Sequence, residues 1–206
     1  MALTTYSDLQ TSIASYLART DLTSQIPDFI QLAEIRLRRE LRIRQMVKNV
    51  TTLTTSGDAT VQLPSDFLEM RDLFVDTNPL QPQSYLTPSI FTRNSRATES
   101  GRPIVYTILG NEFKFAPIPD SAYTLVMLYY AYPPFLSAAQ TTNVFTVNAM
   151  DCLLYASLGE AEPYLMNDAR LSVWASLYQR GVDSLSKSDD DSEFSASPLT
   201  MRVASR

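Results

Sequence analysis

Hydrophobic residues follow a helical period at both ends of the chain and a strand period in the middle. Near the N-terminus they recur every three or four positions, which predicts two amphipathic helices. Thr5 and Asp8 have the spacing of a capping box before the first helix, and Pro27 suits the first turn of the second. The apolar stripe predicts that the second helix continues to about Met46.

From Val47 the pattern becomes Thr-rich and β-branched, which is typical of strands. Two such runs on either side of Gly57 predict a β-hairpin. Three more runs between Ile104 and Tyr132 predict an antiparallel meander. Its third run is apolar on both faces, because successive tyrosines, Tyr129 and Tyr130, point to opposite sides. Such a strand lies inside a core or is covered by another chain.

Helical periodicity returns after the β segment, where Asn148 and Asp151 form a predicted capping pair and a last helix follows. The predicted fold class is therefore α+β, with a helical bundle built from the N- and C-terminal helices, an inserted antiparallel β module and an extended C-terminal arm. The predicted organisation is 1–46 for the N-terminal helices, 47–147 for the β module with its loops, 148–186 for the C-terminal helices and 187–206 for the arm.

The arm begins with an acidic, Ser-rich run that cannot bury enough apolar surface to offset its ordering entropy. Its last residues differ, because Leu199, Met201 and Val203 alternate with more polar neighbours. This alternation is typical of a segment that adds as a strand to the sheet edge of a partner.

Composition excludes several classes of enzyme. The 206 residues contain no histidine and one cysteine, Cys152, so His-based catalysis, disulfides and zinc sites with His or paired Cys are ruled out. No glycine-rich phosphate loop occurs. We therefore predict a protein that is not an enzyme and needs no cofactor or metal. The start resembles no signal peptide and no apolar run approaches a membrane span, so we expect a soluble protein without a membrane partner, made in a reducing cytoplasm.

The segment 35–44, "IRLRRELRIR", places five arginines in ten residues of a chain with a formal net charge of −5. On a helix, Arg38, Arg39 and Arg42 would share the side away from the apolar stripe, as in a DNA-binding helix. However, Glu40 has the spacing to pair with Arg36 and Arg44, which favours pairing within the chain or between subunits. The predicted subunit-interface residues are Arg36, Arg38, Arg39, Glu40, Arg42, Arg44, Tyr129 and Tyr130.

Several segments taken together resemble the head-to-tail adaptor, or connector, proteins of tailed bacteriophages, in particular those of short-tailed phages (podoviruses). These segments are "LPSDFLEMRDLFVD", "GRPIVYTILGNEFKFAPIPDSAYTLVMLYYAYPP", "LLYASLGEAEPYLMNDARLSVWASLY" and "SPLTMRV". None of them is a catalytic motif, so the resemblance concerns a fold and a role in assembly.

The resemblance implies a structural virion protein of the neck, a homo-oligomeric ring with an expected dodecameric copy number. The ring would sit under the portal protein and carry the tail or nozzle protein, and DNA would pass through its lumen as cargo. The resemblance also implies that the arm docks onto the portal through Ser197, Pro198, Leu199, Thr200, Met201, Arg202 and Val203. The alternatives are a tail-completion or other neck ring protein and, less favoured, a DNA-binding protein that uses the Arg-rich helix.

Overall fold

The computed structural model describes residues 3–93, 99–166 and 169–194, and the chain divides into two compact units. The helical unit comprises residues 1–46 together with 133–206, and the β unit comprises residues 47–132. Helices at both ends and strands between them confirm the α+β class. The β unit ends at Tyr132, earlier than the predicted boundary after residue 147, because residues 133–143 bind to a helix of the helical unit, as described below.

Seven helices are present in the described part of the chain: α1 (Tyr6–Leu17), α2 (Ile26–Glu40), α3 (Pro88–Arg93), α4 (Val144–Asn148), α5 (Met150–Glu160), α6 (Glu162–Leu165) and α7 (Leu171–Phe194). The predicted capping box of α1 is confirmed: the Asp8 N–H donates to Thr5 Oγ1 at 3.3 Å, and the Thr5 N–H donates to Asp8 Oδ2 at 3.0 Å. Helix α5 lies at the centre of the helical unit and packs against α1, α2 and α7.

The predicted capping pair of Asn148 and Asp151 is wrong. Asn148 is the last residue of α4, where its side-chain amide donates to the Val144 carbonyl. The capping box lies five residues earlier, between Asn143 and Thr146, and starts α4. Two pairs in this segment have the spacing of a capping box, and Asn143 is the one whose side-chain amide is also bound by a helix of the same unit, through Glu34 Oε1 at 2.6 Å.

Helix α2 ends at Glu40, before the predicted end at Met46. Leu41 has extended dihedrals, and a 3-10 turn from Arg44 to Met46 follows. Leu41 and Ile43 are both 1 % exposed although they are two positions apart. Residues two apart diverge by about 200° on a helix, so an extended chain is needed to bury both against one core.

Helix α7 continues to Phe194, beyond the predicted end at residue 186. The acidic segment therefore begins as helix rather than as an extended arm. Asp189 stabilises this longer helix, because its carboxylate accepts hydrogen bonds at 3.1 Å from the Arg44 N–H and lies 3.8 Å from Arg44 Nε. A partner within the same unit thus stabilises a segment that composition alone assigns to a tail.

The described part of the β unit, residues 47–93 and 99–132, contains eight strands: β1 (Val47–Leu53), β2 (Thr60–Gln62), β3 (Phe67–Val75), β4 (Gln81–Pro82), β5 (Ser84–Tyr85), β6 (Val105–Leu109), β7 (Glu112–Ala116) and β8 (Thr124–Ala131). They form two four-stranded sheets with the orders β1-β8-β3-β4 and β2-β7-β6-β5. All pairs are antiparallel except β5 with β6. The two sheets enclose a core whose largest aromatic members are Tyr106, Phe113, Phe115 and Tyr129.

Two predicted pairings are wrong because neighbouring strands in the sequence enter different sheets. Strands β1 and β2 do not form a hairpin with each other, and β8 does not pair with β7. Gly57, with a φ of +81°, allows the chain to turn from the first sheet to the second. The first pairing of the predicted meander is confirmed, because β6 and β7 are antiparallel neighbours joined by a turn at Gly110 and Asn111. Strand β8 lies between β1 and β3 in the first sheet; one of its apolar faces is buried, and the other, which carries Val126, Leu128 and Tyr130, is only half-buried.

Candidate functional site in the arginine-rich segment

Arg36 and Glu40 connect the end of α2 to α7. Arg36 Nε donates to Glu40 Oε1 at 3.0 Å, which confirms the predicted pair. The Arg36 guanidinium also lies 4.3 Å from the ring centroid of Tyr178 on α7. The Tyr178 hydroxyl in turn donates a hydrogen bond to Glu40 Oε2. These charges therefore have partners inside the chain, which weakens their assignment to a subunit interface.

Replacement of Tyr178 by Phe is expected to lower the free energy of unfolding by about 1 kcal/mol, because Glu40 loses one hydrogen bond while the ring stays packed. Burial and the Glu40 carboxylate raise the pKa of Tyr178 above its ordinary value, so the hydroxyl is the donor across the neutral range. Urea denaturation followed by the fluorescence of Trp174, the one tryptophan of the chain, measures the change in the helical unit. Tyr155→Phe is the control, and an equal loss in both variants would contradict this role of the hydroxyl.

Arg38 and Glu34, one helical turn apart on α2, both bind the segment that follows the β unit. Arg38 donates to the Pro133 carbonyl, and its guanidinium lies 3.4 Å from the ring centroid of Phe135. Glu34 accepts hydrogen bonds from the Leu136 N–H at 3.1 Å and from Asn143 Nδ2 at 2.6 Å. Residues 133–143 are thus bound to α2 through the side chains of Arg38 and Glu34.

Arg42 acts as a cap for the end of α2. Its Nη1 donates to the carbonyl of Leu41 at 2.8 Å and to that of Arg38 at 3.1 Å. Carbonyls in the last turn of a helix have no partner within the helix, so a guanidinium at this place satisfies them.

Arg44 binds Asp189 rather than the predicted Glu40. In the described part of the chain, the exposed guanidinium of Arg39 has no partner, and only the Arg39 carbonyl is bound, by Arg42 Nη1 at 3.5 Å.

The two predicted interface tyrosines lie in different environments. Tyr129 is 2 % exposed, packs in the core of the β unit and donates to Asp66 Oδ1 at 2.9 Å. It therefore has almost no surface to offer a neighbouring subunit. Tyr130 is half-buried on the opposite face of β8. The predicted portal-docking residues 197–203 lie outside the described residues.

Outside this segment, the described residues include one thiol whose reactivity depends on its surroundings. Cys152 is a buried thiol, and burial together with the Asp151 carboxylate raises its pKa to about 12, so it is protonated and a poor nucleophile. Within residues 3–93, 99–166 and 169–194, no group of three or more acidic or cysteine side chains is placed to hold a metal ion. No helix in these ranges is both long and apolar enough to cross a membrane.

The model of the SU10 adaptor protein family matches residues 4–202. The chain belongs to this family. The match covers both units and nearly all of the 206 residues. The chain is thus a phage head-to-tail adaptor, a structural protein of the virion, in agreement with the resemblance found in the sequence. A search of curated proteins gives no match.

Proposed function

We propose that this adaptor forms a ring between the portal and the tail or nozzle of a short-tailed phage. The family match along residues 4–202 is the observation that supports this role. The expected copy number is twelve, as the sequence resemblance implies, and DNA passes through the lumen. The net charge of −5 is compatible with such a passage, because a weakly repelling wall does not retain a moving polyanion.

Contacts between ring subunits are proposed to involve Arg39 and Tyr130. Both retain accessible surface, whereas Arg36, Arg38 and Arg42 are engaged within their own chain. A ring needs heterologous contacts, in which one patch of a subunit meets a different patch of the next. An exposed guanidinium is suited to such a contact because it can form bidentate pairs with a neighbouring carboxylate.

The arm, residues 197–203, is proposed to dock onto the portal. A chain that ends at Phe194 keeps α7 complete, so it is expected to fold normally but to lose its co-sedimentation with purified portal rings. Cryo-EM of the full-length complex then gives the copy number and the position of the arm.

Paired substitutions on the two faces of the arm test whether its alternation is used. Leu199→Asp with Met201→Asp is expected to abolish portal binding, while Thr200→Asp with Ala204→Asp is the control on the other face. Normal portal binding by the chain that ends at Phe194 would contradict the arm assignment. A full-length chain that never joins portal rings would contradict the adaptor role itself.

DNA binding by the arginine-rich segment is the weaker alternative. A phosphate-binding helix needs several free cations on one face, yet most of these arginines bind carbonyls or carboxylates of the same chain. If DNA binding were the function, affinity would fall steeply with salt and would drop on Arg39→Ala. Absence of binding at low salt would exclude it.

A further inference from the structure

Strand β1 is an open sheet edge. None of its seven residues is buried, and it forms the outer strand of the first sheet. The other sheet edges in the described part of the chain, β2, β4 and β5, have only three, two and two residues. Proteins usually protect long edges with Pro, bulges or several charges. Strand β1 has no Pro, pairs with β8 without a register shift and carries one charge, Lys48.

A hydrogen bond of Thr54 shows which backbone groups of β1 point toward β8 and which point to the open side. The Thr54 N–H donates to the Tyr123 carbonyl at 2.9 Å, one position beyond the pair formed by Leu53 and Thr124. Backbone groups of successive strand residues point to alternate sides, so the even-numbered residues of β1 bond to β8. The N–H and C=O groups of Val47, Asn49, Thr51 and Leu53 therefore point to the open side.

We propose that β1 is a docking edge for β1 of a second copy, in an antiparallel pair centred on Val50. In this register Val47 lies opposite Leu53 of the second copy, and Asn49 lies opposite its Thr51. These are the residues with outward backbone groups, so every such N–H and C=O finds a partner across the two-fold axis. The two first sheets would join into one continuous sheet of eight strands.

The side chains of β1 are self-complementary in the same register. Leu53 is 62 % exposed and would be covered by Val47 of the second copy. Val50, which is 36 % exposed, would face its own equivalent at the close distance of a pair without hydrogen bonds. Lys48 would lie opposite Thr52, so no like charges meet. The strand is apolar at its centre, Val50, and at both ends, Val47 and Leu53, and it carries one charge. This composition favours a second copy over a charged partner.

This pair is a closed two-fold contact and differs from the heterologous contacts of a ring. It is inferred for the free protein and does not depend on the ring proposed above. A covered β1 would prevent edge-to-edge aggregation of the protein before it joins a virion. Failure of the pair to form would leave the adaptor role untouched, and failure to join portal rings would leave the pair untouched.

Introduction of a charge at the centre of the pair provides the test. In sedimentation-velocity runs over a range of concentrations, the unmodified full-length chain is expected to reach a dimer. Val50→Lys and Val50→Glu are each expected to raise the dimer dissociation constant about tenfold, because like charges then face each other at the axis. An equimolar mixture of the two variants is expected to recover dimer formation, since Lys then faces Glu. Val50→Thr, which keeps a β-branched side chain, is the control.

The recovery experiment separates this edge from other contacts, because a variant that fails to fold cannot regain association on mixing. A chain that stays monomeric at every concentration would overturn the proposal. So would dimers that are unaffected by Val50→Lys and Val50→Glu. Dimers that are instead lost when the chain ends at Phe194 would assign the contact to the C-terminal arm and equally overturn it.

Discussion

Glu34→Ala is expected to lower the free energy of unfolding of the helical unit by about 2–4 kcal/mol. The Glu34 carboxylate is 1 % exposed and accepts from the Leu136 N–H and from Asn143 Nδ2. Alanine would leave the Leu136 N–H without an acceptor in a buried place and would leave the Asn143 amide with only its bond to the Pro134 carbonyl. An unsatisfied buried donor costs more than the hydrogen bond itself contributes. It would also release residues 133–143 from one of their attachments to α2. Urea denaturation followed by Trp174 fluorescence measures the loss.

Glu34→Gln is the matched control because it keeps the length of the side chain and one acceptor oxygen. It is expected to lose clearly less stability than Glu34→Ala. A loss as large as that of alanine would show that the negative charge, rather than the acceptor, is what the site requires. Equal stability of Glu34→Ala and the unmodified protein would contradict the attachment of residues 133–143 through Glu34.

The burial of the Glu34 charge is tested by comparing the pH dependence of the free energy of unfolding in the unmodified protein and in Glu34→Gln. Burial raises the pKa of Glu34 above its ordinary value, and the hydrogen bonds from Leu136 and Asn143 and the charge of Arg38 only partly oppose this. A raised pKa in the folded state means that the contribution of Glu34 is greatest below its unfolded pKa of about 4.3 and is lost as the pH rises through the folded value. Glu34→Gln has no such titration. The stability of the unmodified protein relative to Glu34→Gln is therefore expected to fall with rising pH in this window.

Local sequence rules predicted the helices and most strands of this adaptor, because period and capping are set by neighbouring residues. The start of α1 at the Thr5 capping box is one example. The ends of α2 and α7 were missed because each depends on a distant contact, burial of Leu41 with Ile43 in one case and the bond from Arg44 to Asp189 in the other. Helix propensity carries no information about such contacts.

Strand pairing was the other failure, and its cause is also non-local. The turn at Gly57 is compatible with a hairpin between β1 and β2, yet the chain crosses there to the other sheet. Strand β1 instead pairs with β8 through backbone hydrogen bonds between residues far apart in the sequence, from Val47 with Tyr130 to Leu53 with Thr124. The alternation of apolar residues predicted strand β8, but it carried no information about which strands pair with it.

The candidate site was predicted in part. Charge spacing on α2 correctly indicated the Arg36–Glu40 pair, because residues four apart on a helix are neighbours. The same spacing gave no sign that Arg38 binds the Pro133 carbonyl or that Glu34 holds Asn143, since these partners lie about a hundred residues further along. Asn143 and Thr146 had the spacing of a capping box, and this was the available signal that Asn143 would be placed precisely.

Gly181→Ala is expected to destabilise the helical unit by about 1–3 kcal/mol, against the usual preference of helices for alanine. Gly181 lies on α7, where an added Cβ would stand 2.8 Å from Cys152 Sγ and 3.2 Å from Asp151 Oδ2 on α5. The close approach of α5 and α7 therefore depends on the missing side chain. Gly159, within α5, is the matched control because its Cβ would meet nothing within 4 Å. Gly159→Ala is expected to stabilise the unit by up to about 1 kcal/mol.

Removal of the opposing sulfur should rescue Gly181→Ala, since the new methyl group would occupy the space that Cys152 Sγ leaves. Cys152→Ala alone is expected to cost about 1 kcal/mol through the small cavity it creates. The double variant is then expected to be more stable than Gly181→Ala alone, with a coupling free energy of about 1–2 kcal/mol between the two positions. Strictly additive effects in urea denaturation followed by Trp174 fluorescence would show that the strain arises elsewhere, for example at the Asp151 carboxylate. A positive coupling would show that contact with Cys152 Sγ sets the shortest possible distance between α5 and α7.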